Sequence, residues 1–108
     1  MNETTDKTYN GWTNYETWAT KLWMDNDESS YNYYQKMAKE IIVNAIEDKT
    51  FTKRENAKLT FMHLLKDELE ENNPLADNAD MYTDLLNAAI SEINFYEIAS
   101  NIIDEISN

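Results

Sequence analysis

Residues 13–23 read TNYETWATKLW, and the fold turns on how this stretch is read. Thr13, Asn14, Tyr15 and Glu16 have the form of a capping box, in which the Thr13 hydroxyl takes the Glu16 amide and the Glu16 side chain reaches back. Behind this start, Tyr15, Trp18, Ala19, Leu22 and Trp23 fall at i, i+3, i+4, i+7 and i+8, one apolar stripe of an amphipathic helix. The stripe predicts that Trp18 and Trp23 face the core, because an indole has a large area to bury. Trp12 stands just before the cap, near the staple position, so it either closes the core or stands exposed. Gly11, the chain's one glycine, supplies the backbone freedom needed to enter the helix at that angle.

The same period continues downstream. The polar run Asp25 to Ser30 ends the first helix and opens a second, along which Tyr31, Tyr34, Met37, Ala38, Ile41, Ile42, Ala45 and Ile46 recur. Thr52 and Glu55 form another capping box, starting a third helix that buries Phe61, Met62, Leu65 and Leu69 and runs out at Asn72-Asn73-Pro74. A fourth helix carries Met81, Leu85, Leu86, Ala89, Ile90 and Ile93. Asn94 to Glu97 start a last one with Ile98, Ala99, Ile102, Ile103 and Ile106. One Gly and one Pro in 108 residues leave few breaks. The expectation is an all-α fold, a compact single-domain bundle of about five helices over residues 1–108, with 1–10 flexible.

Composition narrows the function classes. Hydrophobic residues make up 42%, too many for a disordered acidic tail. Without cysteine there is no disulfide, no Cys-ligated zinc and no thiol catalysis, which suits a reducing cytoplasm. No apolar run approaches the roughly 20 residues of a membrane span, and the polar opening MNETTDKTYN lacks a signal-peptide core. The expected location is therefore cytoplasmic, with no membrane partner.

Charge is the dominant feature. The formal net is −12, with 9 acids and 7 bases in residues 1–54 but 12 acids and 2 bases in residues 55–108. Such a field repels nucleic acid, whose protein partners neutralise phosphates with Lys and Arg, so direct binding to DNA or RNA is not expected. A basic protein is the natural complement.

Catalytic signatures are absent. His63 is the one histidine and has no cysteine or second histidine to share a nucleophilic or metal task, so a packing or surface role is expected. One glycine cannot build a phosphate loop. Asp25 to Glu28 resembles the first half of a calcium loop but lacks its turn glycine and closing glutamate, which makes a solvated turn the better reading. Neither an enzyme nor a cofactor or metal site is expected.

Asn10-Gly11-Trp12-Thr13-Asn14-Tyr15-Glu16-Thr17-Trp18, followed by Leu22-Trp23-Met24-Asp25-Asn26-Asp27, resembles the opening motif of a family of small acidic proteins found in phages and mobile elements. The stretches Asp84 to Ile90 and Ile93 to Ala99 resemble that family's closing motif, with Phe95 where the pattern has tryptophan. The resemblance implies a mobile-element context and names no common activity. In that context the carboxylates suggest an inhibitor of host defence. Carboxylates at i and i+4 on a helix stand about 6 Å apart, comparable to phosphates along a strand, so an acidic face can fill a basic nucleic-acid cleft.

The candidate contact residues are Asp67, Glu68, Glu70 and Glu71 on the third helix, then Asp77, Asp80 and Asp84, with Trp12 as an aromatic candidate. The expected partner is a basic host-defence protein, a CRISPR nuclease first and a restriction enzyme second. Two further readings stand beside it. The acid can serve solubility alone, or the chain can be a phage adaptor that binds a helical partner through exposed aromatics. The sequence leaves the oligomeric state open.

Overall fold

Each helix begins on a side-chain oxygen that accepts a backbone N–H of the first turn, the arrangement that satisfies otherwise orphaned donors. Helix α1 spans Tyr15–Asn26 on Asn14, α2 spans Glu28–Asn44 on Asp27, and α3 spans Lys53–Glu71 on Thr52. Helix α4 spans Met81–Ser91 on Asp80, and α5 spans Phe95–Ser107, where Asn94 Oδ1 accepts the Glu97 N–H at 3.0 Å. These come from a computed structural model that describes residues 8–107. Among the described residues there is no strand, only an isolated bridge between Tyr9 and Trp12. The all-α bundle of five helices is as the sequence predicts. The proposed flexible stretch falls, for residues 1–7, outside the described residues.

The core is built around α5. Ile98, Ala99, Ile102 and Ile103 are buried there against Ala57, Phe61 and Leu65 of α3 and Ala38 of α2. The α3–α5 contact is the most extensive, and α1 and α2 close over it. The capping box predicted at Thr52 and Glu55 is complete: the Glu55 N–H donates to Thr52 Oγ1 at 3.1 Å and the Thr52 N–H to Glu55 Oε1 at 2.8 Å. The turn expected at 25–28 is a single residue, Asp27, which ends α1 and caps α2 by accepting the Ser29 N–H at 3.0 Å; residues 25, 26 and 28 to 30 are helical.

Two helices are rotated from their predicted faces. On α1 the buried residues are Thr17, Lys21 and Met24, while Tyr15, Leu22 and Trp23 are exposed, Trp23 at 75%. The buried face of the helix lies roughly 160° from its apolar stripe, close to the opposite side. A tertiary hydrogen bond from the Asn94 N–H to Thr17 holds that orientation, and the Lys21 stem packs inward with its ammonium paired to Asp25. Trp18 is half-buried in a cluster with Tyr9 and Tyr15, its ring centroid 4.8 Å from Tyr9 and 5.5 Å from Tyr15.

On α4, Thr83 is buried and Leu86, Ala89 and Ile90 are half-buried, whereas Met81 and Leu85 stand exposed with Tyr82. Helix α4 has no extensive contact with any other helix, so its apolar surplus is not all used.

Candidate partner-binding surface

The opening motif is a structural clasp. Tyr9 and Trp12 exchange two backbone hydrogen bonds of 2.8 Å around Asn10 and Gly11, both at positive φ (47° and 86°). Asn-Gly is the preferred pair for such a two-residue turn, and this signal in YNGW was legible beyond the freedom expected of Gly11. The helix cap is Asn14, one position later than predicted. Asn14 Oδ1 accepts the Thr17 N–H at 2.9 Å and the Thr17 hydroxyl at 2.6 Å.

Here the start of α1 interlocks with the α4–α5 junction. The Asn94 N–H donates to Thr17 Oγ1 at 2.9 Å, and Asn14 Nδ2 donates to the Glu92 carbonyl at 2.7 Å. In return Asn94 Nδ2 donates to Thr13 Oγ1 at 3.3 Å, and the Thr13 N–H donates to Glu97 Oε1 at 3.0 Å. The carboxylate reaching Thr13 is thus Glu97 of α5, not Glu16. Two asparagines each cap their own helix and bond across: Asn94 to Thr13 and Thr17 at the start of α1, and Asn14 to Glu92 at the end of α4. Trp12 packs half-buried against the core, which ties this candidate to the clasp.

The carboxylate candidates divide by what they do for the fold. Glu68 is half-buried and accepts from both Tyr33 and Tyr34 hydroxyls at 2.6 Å. The bond to Glu68 raises the Tyr33 phenol above its ordinary value. Tyr34 is pushed further, first by burial and then by the same bond. Asp80 is the α4 cap, accepting the Thr83 N–H at 2.9 Å and hydroxyl at 3.0 Å, so this candidate has a role in the fold. A cap needs a short polar residue before the apolar run, and Asp80 precedes Met81 in that way.

Asp67, Glu70, Glu71, Asp77 and Asp84 are exposed, and none makes an ion pair among the described residues. The α3–α4 connection sets them on adjoining segments. Asn73 Nδ2 donates to Asn87 Oδ1 at 3.4 Å, and the Thr83 hydroxyl, shared between two acceptors, lies 3.4 Å from the Leu75 carbonyl and 3.0 Å from Asp80 Oδ1. The α3 carboxylates occupy the last turns of a helix with no basic residue in its last turn, where the macrodipole disfavours negative charge. Residues 67–108 carry eleven Asp and Glu and no Lys or Arg. Their one cationic contact among the described residues is Asp104, which meets Lys58 at 3.0 Å and Arg54 at 3.5 Å.

Residues 5–106 match DUF7249, a family of unknown function. The chain belongs to that family. No curated protein and no solved structure matches it. The matched span contains both halves of the clasp and the whole α3–α4 carboxylate region, so both lie within the DUF7249 domain.

Two kinds of hollow mark the surface of this DUF7249 protein. An open one of about 970 Å³ lies between α3 and the α4–α5 junction, with His63, Lys66, Glu70 and Glu92 set among apolar side chains on its walls. His63 is exposed, a surface position as expected. Among the described residues no three His, Cys, Asp or Glu side chains converge as a metal would need. Two smaller apolar hollows lie along the outer side of α1. Among the described residues no helix is long and apolar enough to cross a membrane.

Proposed function

We propose that this protein is a non-catalytic inhibitor that presents exposed carboxylates to a basic, nucleic-acid-binding surface of a partner protein. The observation that carries this reading is the uncompensated acid from Asp67 onward. Eleven carboxylates stand with no Lys or Arg among them, five of the candidates exposed and unpaired. Asp67, Glu70 and Glu71 at the C-terminal end of α3 work against helix stability and make no ion pair among the described residues, so the fold supplies no reason for them. Placed in a basic cleft, the same charges replace phosphates and are attracted rather than repelled. The resemblance to phage and mobile-element proteins supports a host-defence nuclease as target, of the CRISPR type first and a restriction enzyme second.

The contact set is Asp67, Glu70, Glu71, Asp77 and Asp84. Glu68 and Asp80 belong to the fold. The test is DNA cleavage by a CRISPR nuclease, and in parallel by a restriction endonuclease, with and without the purified protein. Inhibition of either that weakens as salt rises is the expected result, because exposed charges are screened within about 10 Å at 0.1 M salt. If both nucleases cleave at the uninhibited rate at low salt, the inhibitor reading is wrong for these targets.

A further inference from the structure

We propose that the groove along the outer side of α1 is a docking site for an amphipathic helix of a partner protein, one that carries apolar side chains at helical spacing and Lys or Arg beside them. The two apolar hollows, of about 350 and 360 Å³, share Ala19, Thr20 and Leu69, so they adjoin and form one groove. Toward α4 its walls are Leu86 and Ala89; toward α2 it ends at Trp23 and Tyr34. Tyr15, Ala19 and Trp23 recur along it at i, i+4 and i+8, about 12 Å of helix, which matches two turns of a guest helix.

Trp23 marks this groove as a contact surface rather than spare exterior. An indole 75% exposed at the end of an apolar channel is the residue type that anchors interfaces. It does little for the core, since α1 buries Thr17, Lys21 and Met24 instead.

Charge selects the occupant. Glu16 is the one charged residue lining the groove, no Lys or Arg does, and Tyr34 at its far end holds the Glu68 carboxylate. A guest helix with cations flanking its apolar face is therefore attracted. A second copy of this chain is not, because it would bring another net −12 against the first. The site is separate from the carboxylates of the proposed inhibitory face and stands without that reading.

The experiment titrates the protein with a tryptophan-free peptide of about four helical turns, leucines at i, i+4 and i+7 and lysines between. A peptide of the same composition with the leucines scattered is the control. Amide chemical shifts of the protein locate the contact. The expected result is that the leucine-faced peptide shifts Ala19, Thr20, Leu69 and Leu86 and binds at least about tenfold tighter than the scattered one. Trp23→Ser, at an exposed position, should weaken that preference and leave the thermal melt in place. Ala19→Arg should abolish it by bulk and charge. Charge-reversal at Glu70, Asp77 and Asp84 should leave the shifted residues the same, which separates this site from the inhibitory face. Equal binding of both peptides, or shifts confined to the carboxylates of α3 and α4, would overturn the proposal. So would shifts at the groove that appear with protein concentration alone, since they would make a second copy the occupant.

Discussion

The Thr17 hydroxyl accepts the Asn94 backbone N–H at 2.9 Å across 77 residues of chain, and the same hydroxyl donates to Asn14, the α1 cap. One fully buried threonine thus couples the start of α1 to the start of α5. Thr17→Val keeps the shape and removes both bonds, leaving the Asn94 N–H without this partner. The expected loss is about 1 to 3 kcal/mol, the cost of an unsatisfied buried donor, read by denaturant unfolding. Thr17→Ser should recover most of it. If valine is neutral, the clasp contributes nothing to stability.

Trp23 and Phe61 should part company. Phe61 is fully buried at the α3–α5 contact, and Phe61→Ala should cost about 3 to 5 kcal/mol, enough to unfold a marginal domain. Trp23→Ala should fall within about 0.5 kcal/mol of the parent, as exposed positions do. Thermal melts of the two variants decide it, and a large loss at Trp23 would contradict the rotation of α1.

Charge reversal should separate inhibition from folding. Glu70→Lys, Asp77→Lys and Asp84→Lys together turn three exposed attractions into repulsions, and inhibition of a target nuclease should fall sharply while the melt stays cooperative. Glu28→Lys, Glu40→Lys and Glu47→Lys, also exposed, are the charge-matched control. Asp80 is excluded from the set, since Asp80→Ala alone should cost about 1 kcal/mol by uncapping α4. Equal inhibition by the two triple variants would show that only net charge matters.

Alkaline pH should weaken the α2–α3 contact. Tyr33 and Tyr34 are both raised above their ordinary value of 10.0, so the folded state holds protons that the unfolded chain releases. Their stabilisation is fully present below about pH 10 and is lost as pH rises toward the folded values. Phenolate absorbance should show a late-ionising class of tyrosine that Tyr34→Phe removes and Glu68→Ala diminishes. If all tyrosines ionise together near the ordinary value, the hydrogen-bonded pair is not formed in solution.

The helices themselves were legible in the sequence, because a cap and an apolar period act over three or four residues. Asp27, Thr52 and Asn94 stand where their helices begin, and the faces of α3 and α5 follow the spacing of Phe61, Leu65, Ile98 and Ile102. The acid concentrated in the second half was equally plain, since charge is counted without coordinates. Tertiary structure decided the rest. Long-range bonds from Asn94 and Glu97 turned α1 so that Thr17 and Lys21 went inside and Trp23 outside. The tyrosines of α2 claimed Glu68, and the start of α4 claimed Asp80. Hydrophobicity sets how much of a helix can be buried, but which side is buried, and which carboxylates stay free, depends on partners tens of residues away.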